Sequence, residues 1–423
     1  MQKNSSKSKL SNSENIQYLS LWGVGAVLCL FFYTSPERAL VELISPLLIC
    51  IFTVLILISI NLEGFARNSI TYLLFFSITI TSYWGITQTL TGSYTGQSSY
   101  FFYGFSFYTA SLAYLFGTKA KLTLSESFKV SNPILLMTGP IAIFIKSEKH
   151  TSLKRRINYY LPFVLVGIFF FQIIAAPLTH LFFLLSATDI ISTLCFAIIF
   201  EIFVYTNFCG LSLIIYGIFG LLGYRIPLNF KQPFSSSNMI EFWRGWHLSF
   251  SMVLKALFYS PIRKKFPSYI AIFFVFMASG LWHGISFNYI IWAFFHSFIF
   301  LASLYCLKQK IRFIPFFLLF LGIIMGRLIA AESDTDRLLE KLLFTYNDFA
   351  AISSIIATGT SVKISLILGL TVIFIERSFQ KHKLVAKRNY KFLRTPSALV
   401  FIIIISTVLI NSEVLQYAVY GQR

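Results

Sequence analysis

Residues Pro267–Leu307 read PSYIAIFFVFMASGLWHGISFNYIIWAFFHSFIFLASLYCL and contain no Asp, Glu, Lys or Arg. The stretch is about twice as long as the roughly 20 residues that one transmembrane helix needs, and Lys265 and Lys308 flank it. The pattern predicts two helices that enter the membrane from the cytoplasm and return to it. Gly280–Gly284 lies at the predicted break, where two glycines weaken the helix. His283 is therefore expected within or toward the outer half of the membrane.

The composition indicates a membrane protein. Of the 423 residues, 56% are hydrophobic and 12% are charged, and the mean hydropathy is +0.73. A soluble domain has about 25% charged residues, so a soluble enzyme, a disordered chain and a coiled coil are excluded. Apolar runs predict about eleven transmembrane helices, near residues 18–33, 40–60, 70–91, 100–117, 159–186, 190–222, 268–282, 285–306, 313–330, 350–375 and 396–418.

The predicted fold is an all-α polytopic membrane protein with a single membrane domain. Residues 1–17 are rich in Ser, Asn and Lys and lack an apolar period, which is typical of a flexible tail, here expected in the cytoplasm. Residues 18–423 form the predicted membrane domain. No small-residue cleavage site follows the first apolar run, so we expect an uncleaved first helix.

The distribution of charge predicts the orientation in the membrane. The chain has 35 Lys and Arg residues against 16 Asp and Glu residues, a net charge of +19. The basic residues cluster in loops at 146–156, 263–265, 308–312 and 377–394, which the positive-inside rule assigns to the cytoplasm. The loop with Glu332, Asp334 and Asp336 and the uncharged loop 91–99 are then outside. Because this pattern accounts for the positive charge, nucleic-acid binding is not expected.

A second informative stretch is Met239–Tyr259. It carries Glu241, Arg244 and Lys255, too many charges for a transmembrane helix. Its apolar residues nevertheless keep helical spacing, with His247 among them. We therefore expect one amphipathic helix in the membrane interface, or a re-entrant element tucked into the protein.

Two of the six histidines are candidate catalytic residues. An ionisable group inside the membrane indicates a functional site, and the neutral imidazoles of His283 and His247 could take a proton from a hydroxyl and return it. The alternative is that both only bond to neighbouring backbone. His180 is alone in an apolar run and is expected to pack against a carbonyl. His296 should face away from His283 if one helix continued through both.

Other kinds of site are not indicated. The five cysteines form no CxxC pair and no Cys/His ligand cluster, so neither a metal nor a disulfide is expected. No Gly-x-Ser-x-Gly elbow, P-loop or dinucleotide fingerprint is present. Acyl chemistry here would not use a serine nucleophile, and no bound cofactor is expected.

Four stretches resemble one family, the membrane-bound O-acyltransferases, in the bacterial branch that contains alginate O-acetyltransferases and teichoic-acid D-alanyltransferases. Their order and spacing agree with the family from about Gly104 to Arg327. The stretches are Gly104–Thr109 (GFSFYT), Asn132-Pro133 through Gly139-Pro140, Asn229–Phe234 (NFKQPF) with Glu241–Ser249 (EFWRGWHLS), and Gly280–Gly284 (GLWHG) with Trp292 and His296.

The resemblance implies a fold and residue roles. The fold would be a ring of tilted helices around a central tunnel, open to both sides of the membrane. His283 would be the catalytic histidine, and His247 the second one. Substrate contacts are expected from residues of the same motifs, namely Trp282, Asn288, Asn229, Gln232, Trp243, Arg244, Trp246 and Ser249. The chain departs from the family pattern at Asn207, Leu213, Lys255-Ala256 and Ser297.

The implied function is O-acyl transfer in a bacterial inner membrane. The donor would be a thioester, acetyl-CoA or an acyl carrier protein, in the cytoplasm. The acceptor would be a hydroxyl of an envelope or exported polysaccharide, and an extracytoplasmic SGNH-type protein is a further candidate partner. Acetyl is the expected group. The alternatives are D-alanyl transfer to teichoic-acid-like polymers, a flippase or transporter for a lipid-linked sugar, and an inactive scaffold in an envelope complex. A transporter predicts internal repeats, and none is visible.

Overall fold

The computed structural model describes residues 2–32, 51, 64–77, 105–119, 123–139, 141–147, 152–311, 313–343 and 350–378. These residues are mostly helical, and the strands among them are the two-residue β1 (Lys146–Ser147) and β2 (Tyr224–Arg225). The chain divides into two compact units, residues 1–147 with 225–227 and 423, and residues 148–224 with 228–422. The single membrane domain expected from the sequence stays a prediction.

The first unit is built on its N-terminal helix. Its helices are α1 (Gln2–Phe32), α2 (Gly64–Phe75), α3 (Phe105–Gly117), α4 (Leu124–Val130) and α5 (Pro133–Thr138), followed by a 3-10 turn at Ala142–Phe144. The indole Nε1 of Trp22 donates to the carbonyl of Ser131 at 2.9 Å. The amide of Asn132 donates to the carbonyl of Leu21 at 3.1 Å. These bonds fix the turn between α4 and α5 on α1.

The flexible cytoplasmic tail expected over residues 1–17 stays a prediction, and residues 2–17 are helical in the structure. They belong to α1, which continues without interruption into the first apolar run. Adding a residue to an existing helix is far easier than starting a new one, and the tail contains Gln, Glu, Lys and Leu, which are good helix formers. The absence of an apolar face therefore did not prevent helix formation.

The second unit begins with a long helical segment, Leu153–Ser186, and a second helix that packs closely on it. The segment comprises α6 (Leu153–Ile168), a π-helical turn (Phe169–Ala175), α7 (Ala176–Leu178) and a 3-10 helix (Thr179–Ser186), and α8 follows (Ile190–Leu221). A Cβ placed on Gly167 would lie 2.6 Å from the carbonyl oxygen of Gly210. Glycine is therefore required where the backbones of α6 and α8 meet.

The stretch Met239–Tyr259 is not the single amphipathic helix that its apolar spacing predicts. It is divided into α9 (Met239–Gly245), α10 (Leu248–Leu254) and a π-helical turn (Lys255–Tyr259), with α11 (Ser260–Arg263) following. The chain is extended at Trp246 and left-handed at His247. His247 thus occupies a turn between two short helices.

The uncharged stretch forms the predicted pair of helices. α12 (Ser268–His283) ends at Gly284, whose φ of 144° is available to glycine and strained for other residues, and α13 (Phe287–Lys308) begins three residues later. α14 (Phe313–Ala331), α15 (Thr335–Leu343), α16 (Ala350–Ala357) and α17 (Thr360–Ser378) complete the described part. The break at Gly284 is confirmed, and the membrane orientation of the pair stays a prediction.

Four described helical segments are long and apolar enough to cross a membrane: Leu153–Ser186, Ile190–Leu221, Phe287–Lys308 and Phe313–Ala331. α12 is apolar but has 16 residues. The helix predicted over 350–375 is divided at Thr358–Gly359 into α16 and α17. The helices predicted near 40–60 and 396–418 lie outside the described residues, apart from residue 51. The total of about eleven helices and the central tunnel therefore stay predictions.

One local expectation is wrong, because His180 is exposed on the 3-10 helix and not packed in an apolar interior. Glu332 lies in the expected loop between α14 and α15, but its side chain is fully buried, and Arg337 and Lys341 of α15 both donate to its carboxylate. Lys341 also donates to the carbonyl of Leu185. A polar sequence therefore forms a packed corner.

Candidate functional site

The loop 229–236 and the turn at His247 are joined by hydrogen bonds. The backbone N–H of Lys231 donates to the carbonyl of Gly245 at 2.8 Å, and the N–H of Leu248 donates to the carbonyl of Asn229 at 2.9 Å. The side-chain oxygen of Asn229 also accepts from the N–H and the hydroxyl of Ser249, at 3.2 and 2.6 Å. These bonds bring together the two halves of the motif NFKQPF…EFWRGWHLS.

His247 is held in an unusual backbone conformation. Its φ of 44° and ψ of 58° are left-handed, and the side chain is buried. Its ring contacts those of Phe208 and Phe250, with centroids at 4.8 and 5.2 Å. Burial lowers the pKa of His247 to about 3 from its usual 6.5, because a charged imidazole is poorly solvated there. At neutral pH His247 is therefore uncharged.

His283 is the last residue of α12 and is half-buried. Its ring packs against Trp282 at 5.0 Å, stacks with Tyr289 of α13 at 5.5 Å, and lies 6.3 Å from Trp292. The next residue, Gly284, carries no side chain that would cover the imidazole. His283 thus lies between aromatic rings at a helix end, next to a glycine.

Two aromatic rings connect the candidate histidines. Phe250 of α10 contacts His247 at 5.2 Å and Trp282 at 4.3 Å, and Trp282 contacts His283 at 5.0 Å. Trp282 is 1% exposed, so this path is closed to water. The two motifs that the sequence singled out therefore form one site.

His296 joins the same cluster. Its ring lies 4.5 Å from Trp292 and 5.2 Å from Trp243 of α9, and Trp292 also contacts His283. A continuous helix would have put the two histidines on opposite faces, but the break at Gly284 folds α13 back beside α12. His296 is 4% exposed, and its Nδ1 has no hydrogen-bond partner among the described residues.

The expected substrate-binding tryptophans pack inside the site. Trp243 contacts Phe276, Trp292 and His296, and Trp246 contacts Phe230, Phe242 and Tyr205. Arg244 points away and is exposed at the end of α9. The structure therefore brings Trp243, Trp246 and Trp282 together with the histidines and leaves Arg244 on the surface.

The expected polar contacts divide into two kinds. Ser249 and Asn288 are committed to the fold, since Ser249 binds Asn229 and Asn288 links Ser286 to the carbonyl of Ala330. Asn229 and Gln232 keep one buried polar atom each, Nδ2 and Oε1, that bonds to no described group. Substrate binding by these residues stays a prediction, with Asn229 and Gln232 the better placed.

Two buried carboxylates near the His247 turn were not identified from the sequence. Glu201 of α8 pairs with Arg327 of α14, whose guanidinium lies 5.3 Å from the ring of Trp246. Glu376 of α17 accepts a hydrogen bond from the hydroxyl of Tyr205. A single acidic residue inside the apolar run 190–222 was a signal that could have identified Glu201. Glu376 was hidden at the start of a basic loop.

Residues 130–318 match the model of the MBOAT, or membrane-bound O-acyltransferase, family. Over these residues the chain is similar to this family. The matched segment includes the His247 turn, the break at Gly284 and His296, all residues of the aromatic site. The chain is a membrane protein with several apolar helices. The resemblance to the family is confirmed over the matched segment, and the stretch Gly104–Thr109 lies outside it.

Curated relatives are distant. A probable alginate O-acetylase of Pseudomonas putida is 38% identical over 96 residues, 22% of this chain and 20% of that protein. A peptidoglycan O-acetyltransferase of Helicobacter pylori is 29% identical over 178 residues, 38% of this chain and 33% of that protein. A teichoic acid D-alanyltransferase of Bacillus subtilis is 28% identical over 109 residues, 23% of this chain and 28% of that protein. The chain thus spans about a fifth to a third of these relatives.

Among the departures from the family pattern, three have a clear place in the structure. Asn207 is 1% exposed inside α8. The hydroxyl of Ser297 donates to the carbonyl of Phe294 within α13 at 2.9 Å. Lys255 is exposed at the start of the π-helical turn. None of these three positions removes an aromatic contact to His247 or His283.

Proposed function

We propose that the protein is an O-acyltransferase in which His283 is the general base. The observation that carries the proposal is the position of His283, at the end of a helix, beside Gly284 and between aromatic rings that lead to His247 and His296. A residue that only packed the helix end would not need to be joined to two further histidines by tryptophan and phenylalanine rings.

The reaction is a transfer from sulfur to oxygen. The imidazole of His283 accepts the proton of the acceptor hydroxyl while that oxygen attacks the thioester carbonyl. A C–O bond forms, the C–S bond breaks, and the thiolate leaves with the proton returned by the imidazolium. The products are an ester and a free thiol, so the proton count balances and no other reactant is needed.

The aromatic shell has two roles in this mechanism. Trp282, Trp292 and Phe250 exclude water from the path between the histidines, which protects the thioester from hydrolysis and strengthens polar interactions. His247 is neutral because it is buried, so it can orient the donor by a hydrogen bond without bringing a second charge into the site. Asn229 and Gln232, which keep unused polar atoms near the same turn, are proposed as further substrate contacts.

The donor and acceptor follow from the family and the predicted orientation. We propose acetyl as the group, a cytoplasmic thioester as donor (acetyl-CoA or an acyl carrier protein), and an envelope or exported polysaccharide as acceptor. Arg244, exposed at the end of α9, and the basic loops suit an anionic donor. The O-acetyltransferase names of two relatives support this choice. An SGNH-type protein is the proposed outer partner, in a bacterial inner membrane.

A second candidate function is D-alanyl transfer to a teichoic-acid-like polymer. It is favoured by the similarity to the D-alanyltransferase of Bacillus subtilis. The same base and the same thioester chemistry would serve both groups, so the site does not separate them. A labelled D-alanyl carrier protein used in place of acetyl-CoA separates them directly.

The test is the replacement of His283 by Ala and by Gln, with transfer of a labelled acyl group to envelope glycan measured at matched protein levels. A general base contributes roughly 10²–10⁴-fold in rate. Gln keeps a hydrogen bond but cannot take up the proton, so it should be nearly as damaging as Ala. Replacing the exposed His180 by Gln is the matched control and should leave transfer unchanged.

Wild-type transfer by either His283 variant would contradict the general-base role. The flippase and scaffold interpretations would then gain, and a flippase assay with a fluorescent lipid-linked sugar would separate those two. Loss of transfer in the His180 control would show instead that the assay responds to changes outside the site.

A further inference from the structure

A buried carboxylate connects α17 to the site. Glu376 is 4% exposed and lies on the last turn of α17. One carboxylate oxygen accepts from the hydroxyl of Tyr205 in α8, and the other accepts from the backbone N–H of Phe234 at 3.3 Å. A carboxylate so deep in the protein is costly unless it is hydrogen-bonded, so these two donors are what keep it there.

The second contact fixes the end of the loop 229–236. Phe234 lies in the 3-10 turn Pro233–Ser235. The residue before this turn is Gln232, whose backbone is left-handed with a φ of 45°. The neighbouring Arg377 donates to the carbonyl of Ser236. The end of α17 therefore holds this turn by two hydrogen bonds. Glu376 and Phe234 are 142 residues apart in the chain, and Arg377 and Ser236 are 141 residues apart.

The loop in turn fixes the residues around His247. Asn229 and Lys231 make the backbone bonds to Leu248 and Gly245 that close the His247 turn. The Tyr205 ring contacts Phe234 at 4.9 Å and Trp246 at 6.0 Å. The carboxylate thus reaches the histidine turn by two routes, one through backbone hydrogen bonds and one through aromatic packing.

We propose that Glu376 is a positioning residue for His247, acting through Tyr205 and the loop 229–236. The inference rests on the proposed acyl transfer and adds a residue that touches neither donor nor acceptor. His247 needs external support because a left-handed backbone is uncommon and costly for any residue other than glycine. A carboxylate suits this position because its two oxygens accept hydrogen bonds from the Tyr205 hydroxyl and the Phe234 N–H at once. A side-chain amide has only one acceptor oxygen, and its NH₂ group would face one of these two donors.

The experiment compares Glu376→Gln, Tyr205→Phe and the double variant with Glu340→Gln. Glu340 is exposed on α15, so its replacement removes the same charge without touching the site. The purified proteins are reconstituted in lipid vesicles and supplied with labelled acetyl-CoA and glycan from the host envelope. The kcat per folded molecule and the KM for acetyl-CoA are measured for each.

We expect kcat to fall roughly 10²-fold in Glu376→Gln, the loss that a displacement of about 1 Å of a reacting group can cause. The yield of folded protein should match that of Glu340→Gln. The double variant should be no worse than the more damaging single variant, because residues that act along one path are not additive. A residue with a purely structural role would lower the yield and leave kcat per folded molecule unchanged.

A second readout does not depend on activity. Ser249→Cys, in a chain whose five native cysteines are replaced, gives a single thiol at a position that is 0% exposed beside the His247 turn. Glu376→Gln should raise the rate at which N-ethylmaleimide modifies this thiol roughly tenfold, which is the factor that the loss of one buried hydrogen bond represents. Glu340→Gln should leave the rate unchanged.

The outcomes separate the two proposals. An unchanged kcat and an unchanged labelling rate in Glu376→Gln would overturn the positioning role, whatever the enzyme transfers. A wild-type protein that moves no acyl group from any thioester, with the labelling response still present, would overturn the proposed function and leave the link between Glu376 and the His247 turn standing.

Discussion

The rings of Phe250 and Trp282 face each other with centroids 4.3 Å apart and planes inclined by 36°. Phe250 belongs to the helix that follows His247, and Trp282 directly precedes His283. This pair is therefore one of the contacts through which the two histidine motifs share one site, and it joins the residues next to His247 and His283. Its removal tests whether they act together.

We predict that Phe250→Ala lowers both stability and transfer. Truncation of a buried Phe costs about 3–5 kcal/mol, and Phe250 is 5% exposed. The loss should appear as a lower unfolding midpoint in detergent and as reduced transfer per folded molecule. Phe298→Ala is the control, because Phe298 is 68% exposed on α13. Equal effects of the two substitutions would contradict the bridging role.

A second prediction concerns the space that α14 leaves for His296. A Cβ on Gly326 would lie 2.1 Å from the Nε2 atom of His296, so Gly326→Ala must displace the imidazole. We expect a lower unfolding midpoint and reduced transfer. Gly359→Ala should be well tolerated, since the nearest atom to its Cβ would be a Ser361 hydroxyl at 3.9 Å.

The cause can be separated from a general effect on α14 by a double variant. If the clash with His296 is the cause, His296→Ala should restore the stability of Gly326→Ala, because the ring that meets the new methyl group is gone. His296→Ala alone should reduce transfer less than His283→Ala. A double variant that is less stable than Gly326→Ala would contradict this explanation.

The Glu332 corner predicts a dependence of stability on pH. Burial raises the pKa of the Glu332 carboxyl, but hydrogen bonds from Arg337 and Lys341 outweigh it and bring that pKa below its usual 4.5. A lowered carboxyl pKa stabilises the folded state above about pH 4.5, and this stabilisation is lost as the pH falls below it. The corner should therefore weaken in acid.

Glu332→Gln tests that prediction. It leaves Lys341 fully buried without a counter-charge, which costs about 3–5 kcal/mol. At about pH 7 we expect Glu332→Gln to have a lower unfolding midpoint than the wild type. The difference between the two midpoints should narrow as the pH falls toward about 4. A difference independent of pH would show that the ion cluster contributes through packing alone. Glu340→Gln changes an exposed residue of α15 and should have the unfolding midpoint of the wild type at both pH values.

The orientation can be tested on either side of α14. The basic loop before it and the acidic residues after it predict that the N-terminal end of α14 is cytoplasmic. A reporter fused after Arg312 should therefore read as cytoplasmic, and a cysteine at Asp334 should react with a membrane-impermeant reagent added from outside. Reversal of both signals would show that the orientation is inverted.

The sequence predicted the break at Gly284 but not the break at His247, and the reason is physical. The break at Gly284 follows from local properties. An uncharged stretch of two helix lengths predicts two helices, and the two glycines predict where the first one ends. At Trp246 and His247 the apolar period continues unbroken. The left-handed turn at His247 is closed by backbone bonds between Gly245 and Lys231 and between Leu248 and Asn229, whose loop partners lie 14 and 19 residues earlier. Local spacing does not contain those contacts.

The buried carboxylates show the same limit over a longer range. Glu376 and Tyr205 are 171 residues apart in the chain, and Arg327 and Glu201 are 126 residues apart. Their partners become neighbours only when the helices pack, so neither pair has a local pattern. His247, His283 and the tryptophans of the site could be singled out from the sequence because their spacing within each motif resembles that of the family, whereas the place of His296 beside them could not.

The left-handed backbone of His247 has a consequence for the directed evolution of this protein. A non-glycine residue in this region costs about 1–2 kcal/mol, so His247→Gly would relieve that cost while deleting the imidazole. A selection for thermal robustness alone would therefore favour the very substitution that removes a proposed catalytic group. At His247, a gain in stability is expected to cost activity. A screen that measures only stability would therefore select variants that have lost the imidazole.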